Sequence, residues 1–124
     1  VNTLFLHLAA LAALCTCGVH LFIGGPVAVG PLFQGKPLPA ASKWLNYLCW
    51  HIASITLAAL ALGYEWIALT GTGQELAWFL TLLAASLSAL STAVAVKGRF
   101  SPLRLPSTYL LALIASLGAL ALTI

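Results

Sequence analysis

Four stretches of this chain, residues 3–24, 44–64, 75–96 and 107–124, carry between them a single formally charged side chain, Glu75. Each is close to the roughly 20 apolar residues that an α-helix needs to cross the hydrocarbon core of a bilayer. Inside hydrocarbon every backbone N–H and C=O must be bonded within the protein, and a helix achieves this within its own segment. The pattern predicts an all-α integral membrane protein, a four-helix transmembrane bundle forming one domain over residues 1–124. Composition agrees, since 62% of the residues are apolar and 6% charged, against about a quarter charged in a soluble domain. A large soluble catalytic domain is excluded. The first run lacks the basic start and the shorter apolar core of a secretory signal. Val1 is not an initiating residue, which leaves processing and a preceding segment both open.

The ends of the runs carry boundary signals. Lys43, Trp44 and Tyr47 open the second run, and Tyr64, Glu65 and Trp66 close it, as expected of aromatics at the two membrane interfaces. Thr72, Gly73, Gln74 and Glu75 read as a capping box before the third run, and Pro106 with Ser107 as a proline-led entry to the fourth. The first connection, residues 24–43, holds Gly24, Gly25, Pro26, Gly30, Pro31, Gly35, Pro37 and Pro39 among Val27, Val29, Leu32 and Phe33. It reads as an irregular apolar loop along the interface or over the bundle mouth, where non-helical backbone is tolerated beside protein or water. Such a loop is either a lid or docking element or a plain connector.

Charge assigns orientation. Lys36 and Lys43 lie in the first connection and Lys97, Arg99 and Arg104 in the third, with no basic residue elsewhere. Four crossings put both connections on one side, and the positive-inside rule makes that side cytoplasmic, with both termini and the Glu65–Glu75 connection outside. A net charge of +3 from so few residues falls short of the clustered basic face that a nucleic-acid footprint requires.

Small residues mark expected seams. Thr81, Ala84, Ala85, Ser88, Ser91, Thr92 and Ala95 recur at helical spacing in the third run, as do Ala112, Ala115, Ser116 and Ala119 in the fourth, and such stripes let membrane helices approach closely. A hydroxyl-lined permeation path is the competing reading. The histidines and cysteines are confined to the first two runs, so the halves are not repeats of each other.

Polar residues within apolar spans mark candidate chemistry, because lipid disfavours them. Asn46, Tyr47, Trp50, His51 and Ser54 share a broad face early in the second run, and Cys17, His20 and Gly24 share a stripe late in the first, near the same side. His20 and His51 are therefore expected to face each other or a common cavity within reach of Tyr47. Such a pair suits axial ligation of haem b, or a transition metal if Cys17 or Cys49 joins them, with Tyr47, Asn46 or Ser54 holding the second ring nitrogen. The packing alternative has each histidine hydrogen-bonding a neighbouring helix. His7 lies about 20 Å along the axis from His20, near the outer surface and without a histidine partner at its level, which disfavours a two-haem arrangement. The three cysteines, all in apolar context, give no disulfide framework.

The layout in which His20, Phe22, Gly24, Gly25 and Pro26 are followed by Pro31, Leu32, Trp50 and His51 resembles that of small bacterial four-helix inner-membrane proteins with no activity attached to them. The resemblance implies a bacterial inner membrane and no ligand or substrate. There is no paired carboxylate, Ser-His-Asp set, phosphate-binding glycine loop or mid-membrane acid, so no catalytic constellation argues for an enzyme. The expected function is that of a small membrane accessory or interaction protein, packing in a homo-oligomer or larger membrane complex. The alternatives are a haem- or metal-binding redox protein using His20 and His51, and third a small channel or carrier.

Overall fold

The computed structural model describes residues 1–124 and is helical throughout, without strands. Four helices are long and apolar enough to cross a membrane: α1 (Thr3–Gln34), α2 (Ala40–Thr70), α3 (Gln74–Lys97) and α4 (Pro106–Thr123). Going round the bundle, α1 packs along α2 and α4, α4 also packs along α3, and α2 and α3 touch much less. The antiparallel order brings all five basic residues to one end, called here the basic end, and Glu65, Glu75 and both termini to the other, the acidic end.

The largest departure from expectation is in α1. Residues 24–34, expected as irregular loop, are helical: an α-helix over Thr3–Gly18 passes into a π-helix over Val19–Val29 and returns to α over Gly30–Gln34. The reason lies with Pro26. In an α-helix its ring would strike the carbonyl four residues earlier, whereas the wider π turn, with its i→i+5 bonds, makes room for it. The connection proper shrinks to 35–39. On its far side α2 begins at Ala40 and runs to Thr70, longer at both ends than the expected 44–64. The last turn of α1 is held there by aromatic edges: Phe33 meets Trp44 at 5.6 Å and Tyr47 at 5.4 Å between centroids. The Lys43 ammonium lies 5.1 Å over the Phe33 ring, a cation–π contact.

The other ends follow from local chemistry. Asn2 caps α1, its Oδ1 accepting from the Leu4 amide at 3.1 Å. Helix α2 stops where Gly71 turns left-handed (φ 68°), and Gly73 (φ 96°) starts the next helix. The expected capping box does not form: Gly73 occupies the cap and has no side chain to offer, and Thr72 donates instead to the Thr70 hydroxyl at 3.2 Å. Helix α3 ends with Phe100 N–H bonding Ala95 O at 3.1 Å and Arg99 N–H bonding Val96 O at 3.0 Å. These are the paired bonds of a Schellman termination. Pro106 leads α4, as its position in sequence indicates.

The core lies in the acidic half. Tyr64, Leu6, Leu60, Ile67 and Ile114 are its largest fully buried side chains, with Ala9, Ala13, Ala77, Ala84 and Ala121 among the small residues between them. The Tyr64 hydroxyl and Thr81 Oγ1 are hydrogen-bonded at 2.9 Å, and Thr81 also donates to Ala77 O at 2.7 Å. A Cβ placed on Gly118 would fall onto both the Tyr64 hydroxyl and Thr81 Oγ1, so glycine there is a requirement of close approach. At the level of Gly63, a Cβ would come within 2.7 Å of Leu80 Cδ1. These two glycines let α2, α3 and α4 converge.

The expected seam on α3 holds in most of its residues: Thr81, Ala84 and Ala95 are buried and Ser88, Ser91 and Thr92 half-buried, while Ala85 faces outward. On α4 the expectation fails. The buried line is Leu111, Ile114, Gly118 and Ala121; Ala112, Ser116 and Ala119 are exposed and Ala115 is half-buried. Every face of α4 is apolar enough that a stripe of small residues does not by itself distinguish inside from outside.

Candidate functional site

The basic half is built differently. There α2 and α3 diverge, and a cavity of about 730 Å³ opens between them, walled also by α1 and by the start of α4. Its floor and sides are apolar, from Leu57, Ile52 and Ala53 on α2, Leu87, Leu90 and Val94 on α3, and Leu110 and Leu111 on α4. A volume of that size lies within the about 300–1,000 Å³ typical of small-molecule sites. Polar side chains are few: His20, Ser91, Ser107 and Arg104 toward the basic end, and Thr16 and Thr56 deeper, each hydroxyl bonded to its own helix.

The π segment positions the α1 side. Val19, Ile23 and Val27, and beside them His20, Gly24 and Ala28, recur every four residues and all line the cavity. The His20 imidazole stacks on the Trp50 indole with centroids 3.8 Å apart and planes 16° from parallel. A carbonyl only accepts, so His20 donates its Nε2–H to Trp50 O, at 3.2 Å. Ser54 Oγ donates to the same carbonyl at 3.1 Å, and Cys17 Sγ approaches Ser54 O at 3.9 Å. The outer edge of the indole's six-membered ring lies against Gly24, where a Cβ would come within 2.8 Å of Trp50 Cη2. The result is a polar seam between α1 and α2, with Trp50 as a rigid wall of the cavity.

The sequence-predicted residues separate into three places. His20 and Cys49 line the cavity. Cys17 lies in the α1–α2 seam. Tyr47 and His51 belong instead to the aromatic cluster with Phe33 and Trp44; the Tyr47 and His51 rings meet edge to face at 4.5 Å, and His51 is exposed and outside the cavity wall. A helix turns by about 100° per residue, so Trp50 facing α1 directs its neighbour His51 away. No three of the His, Cys, Asp and Glu side chains come together in a group that could hold a metal ion. His20 keeps Nδ1 as its uncommitted ring nitrogen, since Nε2 is bound to the Trp50 carbonyl.

Two features went unnoticed in the sequence. Arg104, the last residue of a short 3₁₀ turn over Pro102–Arg104, contributes to the cavity rim; its signal is its position just ahead of the Pro106 helix start. At the opposite end His7 Nδ1 and Glu65 Oε2 pair at 3.0 Å across α1 and α2, both about two-fifths exposed. Their similar distances from the paired ends of antiparallel neighbours, four residues from Thr3 and five from Thr70, bring them to one level. Ser91 Oγ joins Ser107 Oγ and Thr108 Oγ1, each at 2.8 Å, and Ser88 donates to Thr108 O at 2.7 Å, fastening the start of α4 to α3. No family model matches the chain, and neither a curated protein nor a solved structure matches it.

Proposed function

We propose that the chain is an integral membrane protein of a bacterial inner membrane, with its basic end in the cytoplasm and both termini outside, and that it acts as an accessory protein through helix packing with copies of itself. Four apolar helices of membrane length support insertion, and the confinement of Lys and Arg to alternate connections supports the orientation. The observation that carries the packing role is the outward exposure of small residues at four- and three-residue spacing: Ala85, Ala89 and Ala93 on α3, and Ala112, Ser116 and Ala119 on α4. None of these serves the internal seams. In lipid, where apolar side chains gain little by leaving the bilayer, close backbone approach over small residues drives helix association.

The test is the mass of the assembly in detergent or nanodiscs. Wild type is expected to run as an oligomer, and Ala89→Leu and Ser116→Leu to release monomer without lowering thermal stability. A wild-type chain that is monomeric over a wide concentration range would defeat the reading. Orientation is tested separately, by labelling Lys36 and tags at both termini from each side of the membrane.

A further inference from the structure

We infer that the cavity between α2 and α3 holds one anionic phospholipid, an acyl chain against the apolar floor and the phosphate on Arg104. This rests on the membrane reading above and goes beyond it by naming a ligand and its site. Three observations converge. The cavity is lined by all four helices and is open along one side, where Ile52, Leu90 and Val94 are exposed; its buried floor is Leu57 and Leu111 with Thr16 beside them. Water gains little in such a space, and an acyl chain matches it. The rim carries Arg104, whose guanidinium has no ion-pair partner, since the one ion pair in the molecule joins His7 to Glu65.

Charge at that end is of one sign. Both carboxylates are at the acidic end, Glu65 beside His7 and Glu75 in the first turn of α3, leaving the rim with an unopposed cation. A planar guanidinium takes a phosphate through two parallel hydrogen bonds, and basic pockets between helices on the cytoplasmic side are where anionic headgroups bind. Ser107, three residues beyond Arg104 and also in the lining, adds a hydroxyl between the charged rim and the apolar floor. A partner helix fits poorly: at about 10–12 Å across, fewer than about two of its turns would fill the volume.

The experiment reconstitutes the full chain in vesicles of equal parts phosphatidylglycerol and phosphatidylcholine, extracts it in mild detergent and weighs the intact complex by native mass spectrometry. One phosphatidylglycerol per chain is expected to be retained in preference to phosphatidylcholine. Arg104→Gln should lower that retention about tenfold or more, the loss expected for one hydrogen bond to a charged group, and Ala53→Trp, which fills the floor, should remove it. Lys97→Gln, a charge change outside the cavity, should leave it unchanged. Equal retention of the two lipids per chain, retention undiminished in Arg104→Gln, or a bound mass of inorganic phosphate alone would each overturn the inference, whatever the number of chains in the complex. Thermal melts confirm that each variant is folded; Arg104 is exposed, so its variant stays informative even if Ala53→Trp does not fold. Alkaline extraction of the same membranes separates the two readings, because a chain released by alkali defeats the membrane reading rather than the lipid site.

Discussion

The acidic and basic halves of the bundle use similar side chains to opposite ends. In the acidic half Gly63 and Gly118 remove bulk where α2, α3 and α4 meet, and Tyr64 and Thr81 satisfy each other inside the contact. In the basic half the glycine is Gly24, and the side chain it admits is the Trp50 indole, where Gly63 admits Leu80 and Gly118 admits Tyr64 and Thr81. One half spends its small residues on closing the bundle; the other spends them on seating a large wall.

That contrast predicts graded effects. Gly118→Leu should have the largest, because its side chain would have to displace the Tyr64–Thr81 pair; overpacking costs of about 1–3 kcal/mol or more are usual, and no cooperative thermal transition is expected in detergent. A variant that melts like wild type would remove the closed half's distinction. Ser88→Leu comes next: it adds bulk at a half-buried seam and loses the bond to Thr108 O, for a cost of about 1–3 kcal/mol. Leu82→Ala, at a residue 60% exposed, should stay within about 0.5 kcal/mol. Equal melting temperatures for these two would dissolve the seam on α3.

Smaller effects sharpen the picture. Tyr64→Phe should cost about 0.6 kcal/mol, the average for a hydrogen bond between membrane helices, because Thr81 keeps its bond to Ala77 O. His20→Ala should cost a comparable amount through the lost bond to Trp50 O, and His51→Ala less than about 0.5 kcal/mol, since it is exposed beside Tyr47. Equal losses at the two histidines, or an absorption band in the purified protein that both substitutions abolish, would restore the paired-ligand reading of His20 and His51.

The sequence made the four helices and the α3 seam legible because length without charge and small-residue spacing are strong local signals. It hid the course of Gly24–Gln34, since Gly and Pro announce a break in an α-helix and nothing local announces a π turn that absorbs Pro26. It misplaced the α4 stripe for a different reason: around a helix apolar on every side, polarity does not report which face is inward. The site was half visible. His20 could be assigned to the basic half of α1, but separating it from His51 required the rotation of α2, which Trp50 fixes by resting on Gly24.

The four membrane-length helices differ in length. At 1.5 Å per α-helical residue, the 31 residues of α2 extend about 46 Å and the 21 α residues of α1 about 32 Å before its 11 π residues are added, while the 24 of α3 and 18 of α4 extend about 36 and 27 Å. A slab with a hydrocarbon core about 30 Å thick cannot match both pairs at once. In the membrane proposed above the long pair would lean or stand proud of the surface, and α4, the one helix shorter than the core, would draw the leaflets beside it together, each at a fraction of a kcal/mol per Å. Embedded in a bilayer as proposed, the molecule would be a stepped inclusion, thick on its α1–α2 flank and thinnest at α4, and membrane thickness would become a variable to which its tilt responds.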